Sequence, residues 1–296
     1  MKQLPVDFLG FTEIGGVGEM IYTAVRFPAY VAEPDEQGNN LMIPLFTGMH
    51  APEAGNDYSL TGQDLLVSLC NLYHKINTPG STVMITEAVR EWCTDNILPY
   101  NNEVVCELVE SDPMAHITLG HIIKREATFD IDLFVKDLCD LGRAFELYYE
   151  GRICDSFAFL EKYRQYESDE EYLKQLKADR ETRMTQLIDL FPDFRMRLKM
   201  NRRSKKIEYG ADVYSVFDIC WYAFGRLVAD VAPPADYGID DEFSQASILS
   251  CLACGSYFLR RSSRQRYCQN WDCQAERNRR NRRASYARHK HDLEIE

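Results

Sequence analysis

What this 296-residue chain lacks narrows its chemistry before any motif is read. It has no Gly-x-Ser-x-Gly elbow and no His-Glu-x-x-His pair, which excludes the sequence-readable serine hydrolases and zinc proteases. Gly15-Gly16-Val17-Gly18 has neither the Lys-Ser/Thr of a phosphate loop nor the spacing of a dinucleotide fingerprint, and reads as a turn. Histidine is scarce at 6 residues, and His116 and His121 are too far out of phase to share a helix face. Each reads as an ordinary polar or partly buried side chain. Asp130, Asp132, Asp137 and Asp140 read equally as a solvated helix face or as carboxylates of a catalytic site. The first residues, Met1-Lys-Gln-Leu-Pro-Val-Asp-Phe8, form no basic region followed by an apolar stretch, so no secretory signal is read and a cytoplasmic protein is expected. The one long apolar run, Val213 to Val231, contains Asp218, Arg226 and Asp230, charges that are costly in hydrocarbon, and it predicts a buried core helix.

A hydrophobic content of 45% predicts a folded body, and the length suits two units plus a small module. Residues 1–58 mix short apolar runs with Gly and Pro, the pattern of a few short strands and loops. From Thr61, Leu65, Leu66, Leu69, Leu72 and Tyr73 recur at helical spacing until Asn77-Thr78-Pro79-Gly80 stops the run. A second helix runs through Glu87 to Trp92 and ends before Pro99. Residues 129–200 read mainly as helices, with Ser168 and Glu171 as a capping box ahead of a charged helix ending near Phe191-Pro192. Ala232 to Glu242, with Pro233 and Pro234, reads as the start of an exposed acidic linker. The expected architecture is a mostly helical body over 1–231 with a small α+β N-terminal part, a linker over 232–247, and a C-terminal module over 248–296.

Of ten cysteines, Cys70, Cys93, Cys106, Cys139, Cys154 and Cys220 stand singly among apolar neighbours and read as small buried hydrophobes. The other four cluster as Cys251-x2-Cys254, thirteen residues, then Cys268-x4-Cys273. Gly255 suits the tight knuckle behind Cys254, Tyr257 and Phe258 open an expected β-hairpin, and Cys273 falls where a helix begins. Four thiolates with no open position describe one structural Zn2+ ion, against the alternative of two free or disulfide-bonded pairs. The expected module is a β-hairpin plus helix zinc finger.

The string Cys251-x2-Cys254-Gly255-x-Tyr257-Phe258, then Arg264-x-Arg266-Tyr267-Cys268, four residues, Cys273 and an arginine-rich helix resembles the CGNR-type, treble-clef-like zinc fingers at the C-termini of bacterial proteins. The resemblance spans about residues 248–291, and Gln274-Ala275-Glu276 stands where the name-giving Gly-Asn-Arg would follow. It implies that the four cysteines bind zinc and that the module binds DNA.

Charge is divided unevenly. Residues 251–296 hold 11 Lys and Arg against 5 Asp and Glu, a charge of +6, leaving 23 against 41, or -18, for the rest. In the helix expected from Asp272, Arg277, Arg279, Arg280, Arg282, Arg283 and Arg288 point to almost every side, Lys290 follows, and no apolar stripe is present. Such a helix seeks a polyanion, and Arg260, Arg261, Arg264 and Arg266 extend the same surface. The leading expectation is a DNA-binding transcriptional regulator whose body senses a ligand or mediates association. An adaptor whose basic finger binds an acidic protein partner is the alternative, and an enzyme with an unrecognised site in the body is the third reading. A second basic window, Arg195 to Lys206, alternates cationic and apolar residues over its first six positions, as a strand with one wet face does.

Overall fold

The described residues of the computed structural model are 9–14, 17–21, 24–47, 51–55, 62–78, 82–100, 105, 108–109, 114–149, 169–194, 196–200, 207–211, 214–230, 248–260 and 265–295. The chain divides into two compact units, Met1–Pro233 and Pro234–Glu296. Ser168 of the expected capping box, Cys106, Cys154 and the expected linker lie outside the described residues.

The first unit begins with short antiparallel pairs, as its Gly- and Pro-punctuated apolar runs predict. Strand β1 (Leu9–Ile14) pairs with β2 (Val17–Ile21), and β3 (Ala24–Arg26) pairs with β6 (Glu53–Gly55). Strands β4 (Ala29–Pro34) and β5 (Asn40–Leu45) form a hairpin, and β7 (Phe129–Asp130) adds to the other side of β5. The hairpin turn is built by Asp35, whose Oδ1 accepts from the backbone N–H groups of Gln37 and Asn39 at 2.8 Å each, while Gly38 adopts φ 87°. Arg26 on β3 donates to the carbonyls of Asp95 and Asn96 at 2.7 and 2.8 Å, satisfying groups that a helix end leaves open.

That helix is α2 (Ile85–Asp95). It joins α1 (Gly62–Asn77), the short α3 (Ala115–Thr118) and α4 (Gly120–Glu126), then α5 (Ile131–Tyr148), α6 (Asp169–Leu190) and α7 (Val216–Asp230). Helices α1, α5 and α7 pack on one another, and α6 packs on α5. The observed α1 closes at the residue where Asn77-Thr78-Pro79 is expected to stop it, because its periodic leucines are the ones buried. Likewise α6 is the charged helix expected before Phe191-Pro192. Cys70, Cys93 and Cys220 are buried and Cys139 is half-buried, in keeping with single apolar cysteines. Among the described residues, no helix is long and apolar enough to cross a membrane.

Aromatic rings run through the body where these helices meet. Phe134 on α5 lies 5.6 Å from Trp92 and 5.1 Å from Phe217, and Phe224 lies 5.5 Å from Phe145 and 5.2 Å from Phe191. Large rings bury the most apolar area per residue, so this column carries much of the body's stability. Helices α1 and α5 approach so closely at Gly142 that a Cβ built there would overlap the Tyr73 ring. The apolar run expected to be a core helix forms α7, and its acid has a structural purpose. Asp218 Oδ2 accepts from the N–H groups of Tyr214 and Ser215 at 2.8 and 3.0 Å, while Ser215 Oγ accepts from the Asp218 N–H at 3.1 Å. Ser215 and Asp218 thus make a reciprocal cap that starts the helix.

Three of the four aspartates of the α5 segment have structural partners, and Asp132 is exposed. Asp130 Oδ1 accepts from the Asp132 N–H at 2.8 Å and caps α5, and Asp140 faces Lys136 at 4.0 Å. Asp137 accepts a 2.8 Å hydrogen bond from the Tyr100 hydroxyl, and burial raises its carboxyl above the ordinary value despite that bond. Within the basic window, Met196–Met200 forms the expected strand, β8, paired antiparallel with β9 (Ile207–Ala211), and its other residues, 195 and 201–206, lie outside the described residues.

Candidate metal centre and cationic helix

In the second unit β10 (Ile248–Ser250) pairs antiparallel with β11 (Tyr257–Leu259), matching Leu249 with Phe258. The strand pair is the expected one in kind, but Tyr257 and Phe258 lie in its second strand rather than opening it, and the first strand precedes Cys251. The reason is local: the Cys251–Gly255 knuckle is itself the connection. Cys251 donates its N–H to the Ser256 carbonyl at 2.9 Å, and Gly255 donates to the Cys251 carbonyl at 2.8 Å. Gly255 has φ 77°, a left-handed conformation that glycine adopts without a Cβ penalty.

The second pair of cysteines is brought onto this knuckle by backbone bonds. Leu252 donates its N–H to the Arg266 carbonyl at 3.1 Å, and Cys268 N–H points to the Cys251 sulfur at 3.3 Å. Helix α8 (Trp271–Ile295) then starts at an Asn270 cap, whose Oδ1 accepts from the Asp272 N–H at 2.9 Å. Gln274 donates through Nε2 to the Cys268 carbonyl at 2.6 Å, so the first residue after the last cysteine ties the helix to the ligand loop. Cys273 sits within the first turn, as its placement near a helix start predicts.

The result is a compact thiol cluster. One sulfur from each of Cys251, Cys254, Cys268 and Cys273 lies within 4.8 Å of every other. Among the described residues these four form the group that could hold a metal ion. The donor set fits such an ion. Bonds of about 2.3 Å to a tetrahedral zinc put sulfurs about 3.8 Å apart, and Cys254 and Cys268 are 3.9 Å apart. All four are free thiols, so the alternative of disulfide-bonded pairs is not what the fold adopts.

Electrostatics divide the four groups. Burial raises the Cys251 thiol, but the N–H groups of Cys268, Cys254 and Ala253 outweigh it and bring the thiol down to about 7. Cys273 is raised instead, by burial and by the sulfurs around it. Four sulfurs this close cannot all ionise without a cation between them, and a divalent ion removes that conflict. Packing alone gives little support, since Ile248, Leu249, Cys251, Phe258 and Cys273 are the buried residues among those described in this unit.

The cationic residues fall into two groups. Arg277, Arg279, Arg280, Arg282 and Arg283 are exposed on α8, and Glu276 receives Arg279 at 3.2 Å and Arg280 at 3.0 Å. Arg277 donates to Gln274 Oε1 at 3.0 Å. Arg260 and Arg266 are half-buried beside the strands, and burial together with the Arg266 charge lowers the Arg260 guanidinium below its usual range. Arg261 and Arg264 lie outside the described residues, and Arg288 and Lys290 are placed by backbone alone. His116 and His121 fall on the separate helices α3 and α4 of the first unit.

One residue escaped the sequence reading. Helix α8 begins at Trp271, one position before the expected start, and this tryptophan is 80% exposed. Comparison with family models, with curated proteins and with solved structures finds no match to the chain.

Proposed function

We propose that the C-terminal unit is a structural zinc finger that binds nucleic acid, with DNA as the expected target and transcriptional regulation as the expected role. The observation that carries this reading is a solvent-facing arginine helix launched from the four-cysteine cluster. Cys251, Cys254, Cys268 and Cys273 would hold the ion, which fills every coordination position and supplies a fold rather than a reaction. The cluster fixes where α8 starts and how it leaves the knuckle. Its guanidinium groups then present, on several sides of the helix, donors suited to phosphate oxygens. The body supplies ligand sensing or association in this reading.

The test is a titration of the full chain with duplex DNA and RNA at low and moderate salt, beside a variant with Arg279, Arg280, Arg282 and Arg283 all changed to Gln. Affinity should fall steeply with salt, by a log–log slope of about -0.9 per phosphate neutralised on duplex DNA. The variant should bind far more weakly and with a shallower slope. Binding indifferent to both salt and the four substitutions overturns the reading. Binding of an acidic protein in place of any nucleic acid would identify the finger as an adaptor. Elemental analysis should find one zinc per chain.

A further inference from the structure

Helix α8 carries more than charge on its outer side. At about 100° per residue, Trp271, Ala275, Arg279, Arg282 and Tyr286 fall within about 80° of arc, a single stripe. Cys273 lies on the other side of the helix, toward the metal cluster, with Arg280 near it and Glu276 between the two faces, paired with Arg279 of the stripe. Trp271 is 80% exposed and Tyr286 75% exposed, and Arg279 and Arg282, both exposed, lie between them along the axis. From the helical rise the two aromatics are about 22 Å apart. Large exposed rings flanking guanidinium groups are costly to keep in water and have no counterpart in phosphate recognition, which needs cations alone.

Base faces supply what the rings lack. In a duplex those faces are already stacked on one another, whereas unpaired bases are open to aromatic side chains while arginines hold the backbone between them. We propose that the stripe Trp271–Arg279–Arg282–Tyr286 binds unpaired nucleotides of a single strand, with Trp271 and Tyr286 as stacking platforms. This rests on the nucleic-acid reading above and specifies the form of the ligand. The stripe has the reach of a short oligonucleotide, within the range of about 4–16 nucleotides that single-strand sites span.

Trp271 also makes its own reporter, because Trp92 and Trp221, the other two tryptophans, are only 6% and 7% exposed. The experiment titrates the zinc-loaded full chain with a single-stranded DNA oligonucleotide, its RNA equivalent and a blunt duplex of equal length, reading tryptophan fluorescence and anisotropy of a labelled strand. Single strands are expected to quench the fluorescence and to bind about 10-fold or more tightly than the duplex. Trp271→Ala should lose the quenching and weaken single-strand binding about 10-fold, Tyr286→Ala should weaken it while Trp271 still reports, and Trp271→Phe should restore most of the affinity. Unchanged zinc content in each variant shows that the unit is still folded. Equal binding of duplex and single strand, with both alanine variants like the parent, overturns the stacking proposal and leaves arginine–phosphate binding standing. Absence of any nucleic-acid binding at low salt overturns both.

Discussion

The body and the C-terminal unit are held by different forces. In the body Phe134, Phe145, Phe217 and Phe224 are buried against one another at the junction of α5 and α7, and apolar burial decides the fold. In the C-terminal unit a few apolar residues accompany four converging thiols, and the long helix that follows has an exposed arginine face. The same chain thus contains one region that water assembles and one whose thiols are placed to hold a cation. Each should fail under an insult that the other survives.

The largest separation should come from the metal. Cys273→Ser, or a strong chelator, removes a binding free energy on the order of 10 kcal/mol. Hydrogen exchange should show residues 248–291 losing protection while α1, α5 and α7 keep theirs. Acid should mimic the chelator, because protons compete with the metal for the sulfurs. A single transition in which both units melt together would erase the contrast.

The converse change lies in the aromatic column. Phe224→Ala should cost the body about 3–5 kcal/mol by opening a cavity, seen as a lower denaturation midpoint with zinc content unchanged. A smaller effect is expected where α1 meets α5. Gly142→Ala drives a methyl group into the Tyr73 ring and should cost about 1–3 kcal/mol, and pairing it with Tyr73→Ala should give less than the sum of the two.

The smallest effect is electrostatic. Burial raises the Asp137 carboxyl above its ordinary 3.8, so the folded body binds this proton more tightly than the unfolded chain does. The stability this group confers is present in acid and declines as pH rises from the unfolded value through the raised one. Asp137→Asn keeps an acceptor for the Tyr100 hydroxyl and carries no charge. Its unfolding free energy should therefore lack that decline, and a parallel pH profile in both proteins would show that burial does not act on this residue.

The two regions also differed in how openly the sequence announced them. Metal ligation demands fixed spacing, so Cys251, Cys254, Cys268 and Cys273 were legible as a set before any coordinates. The leucines of α1 were legible because burial selects one helical face. The Ser215–Asp218 cap was less so, since within an apolar run a charged residue reads first as a cost. The partner of β11 was hidden because Ile248-Leu249-Ser250 is too short to carry a pattern, and its pairing follows from the knuckle. Exposure of Trp271 was hidden for a deeper reason: a tryptophan between two ligand cysteines can as well cover the site as face water until the helix axis fixes where the ring points.

Glu276 has a consequence beyond its pairing with Arg279 and Arg280. With Asp272 it stands before the arginines of α8, and Asp292 and Glu294 stand after Lys290. The cationic stretch is therefore fenced at both ends by groups that repel a polyanion. A strand bound along the proposed stripe from Trp271 past Tyr286 gains nothing by reaching the acidic residues after Lys290, so affinity should climb with oligonucleotide length and then level off.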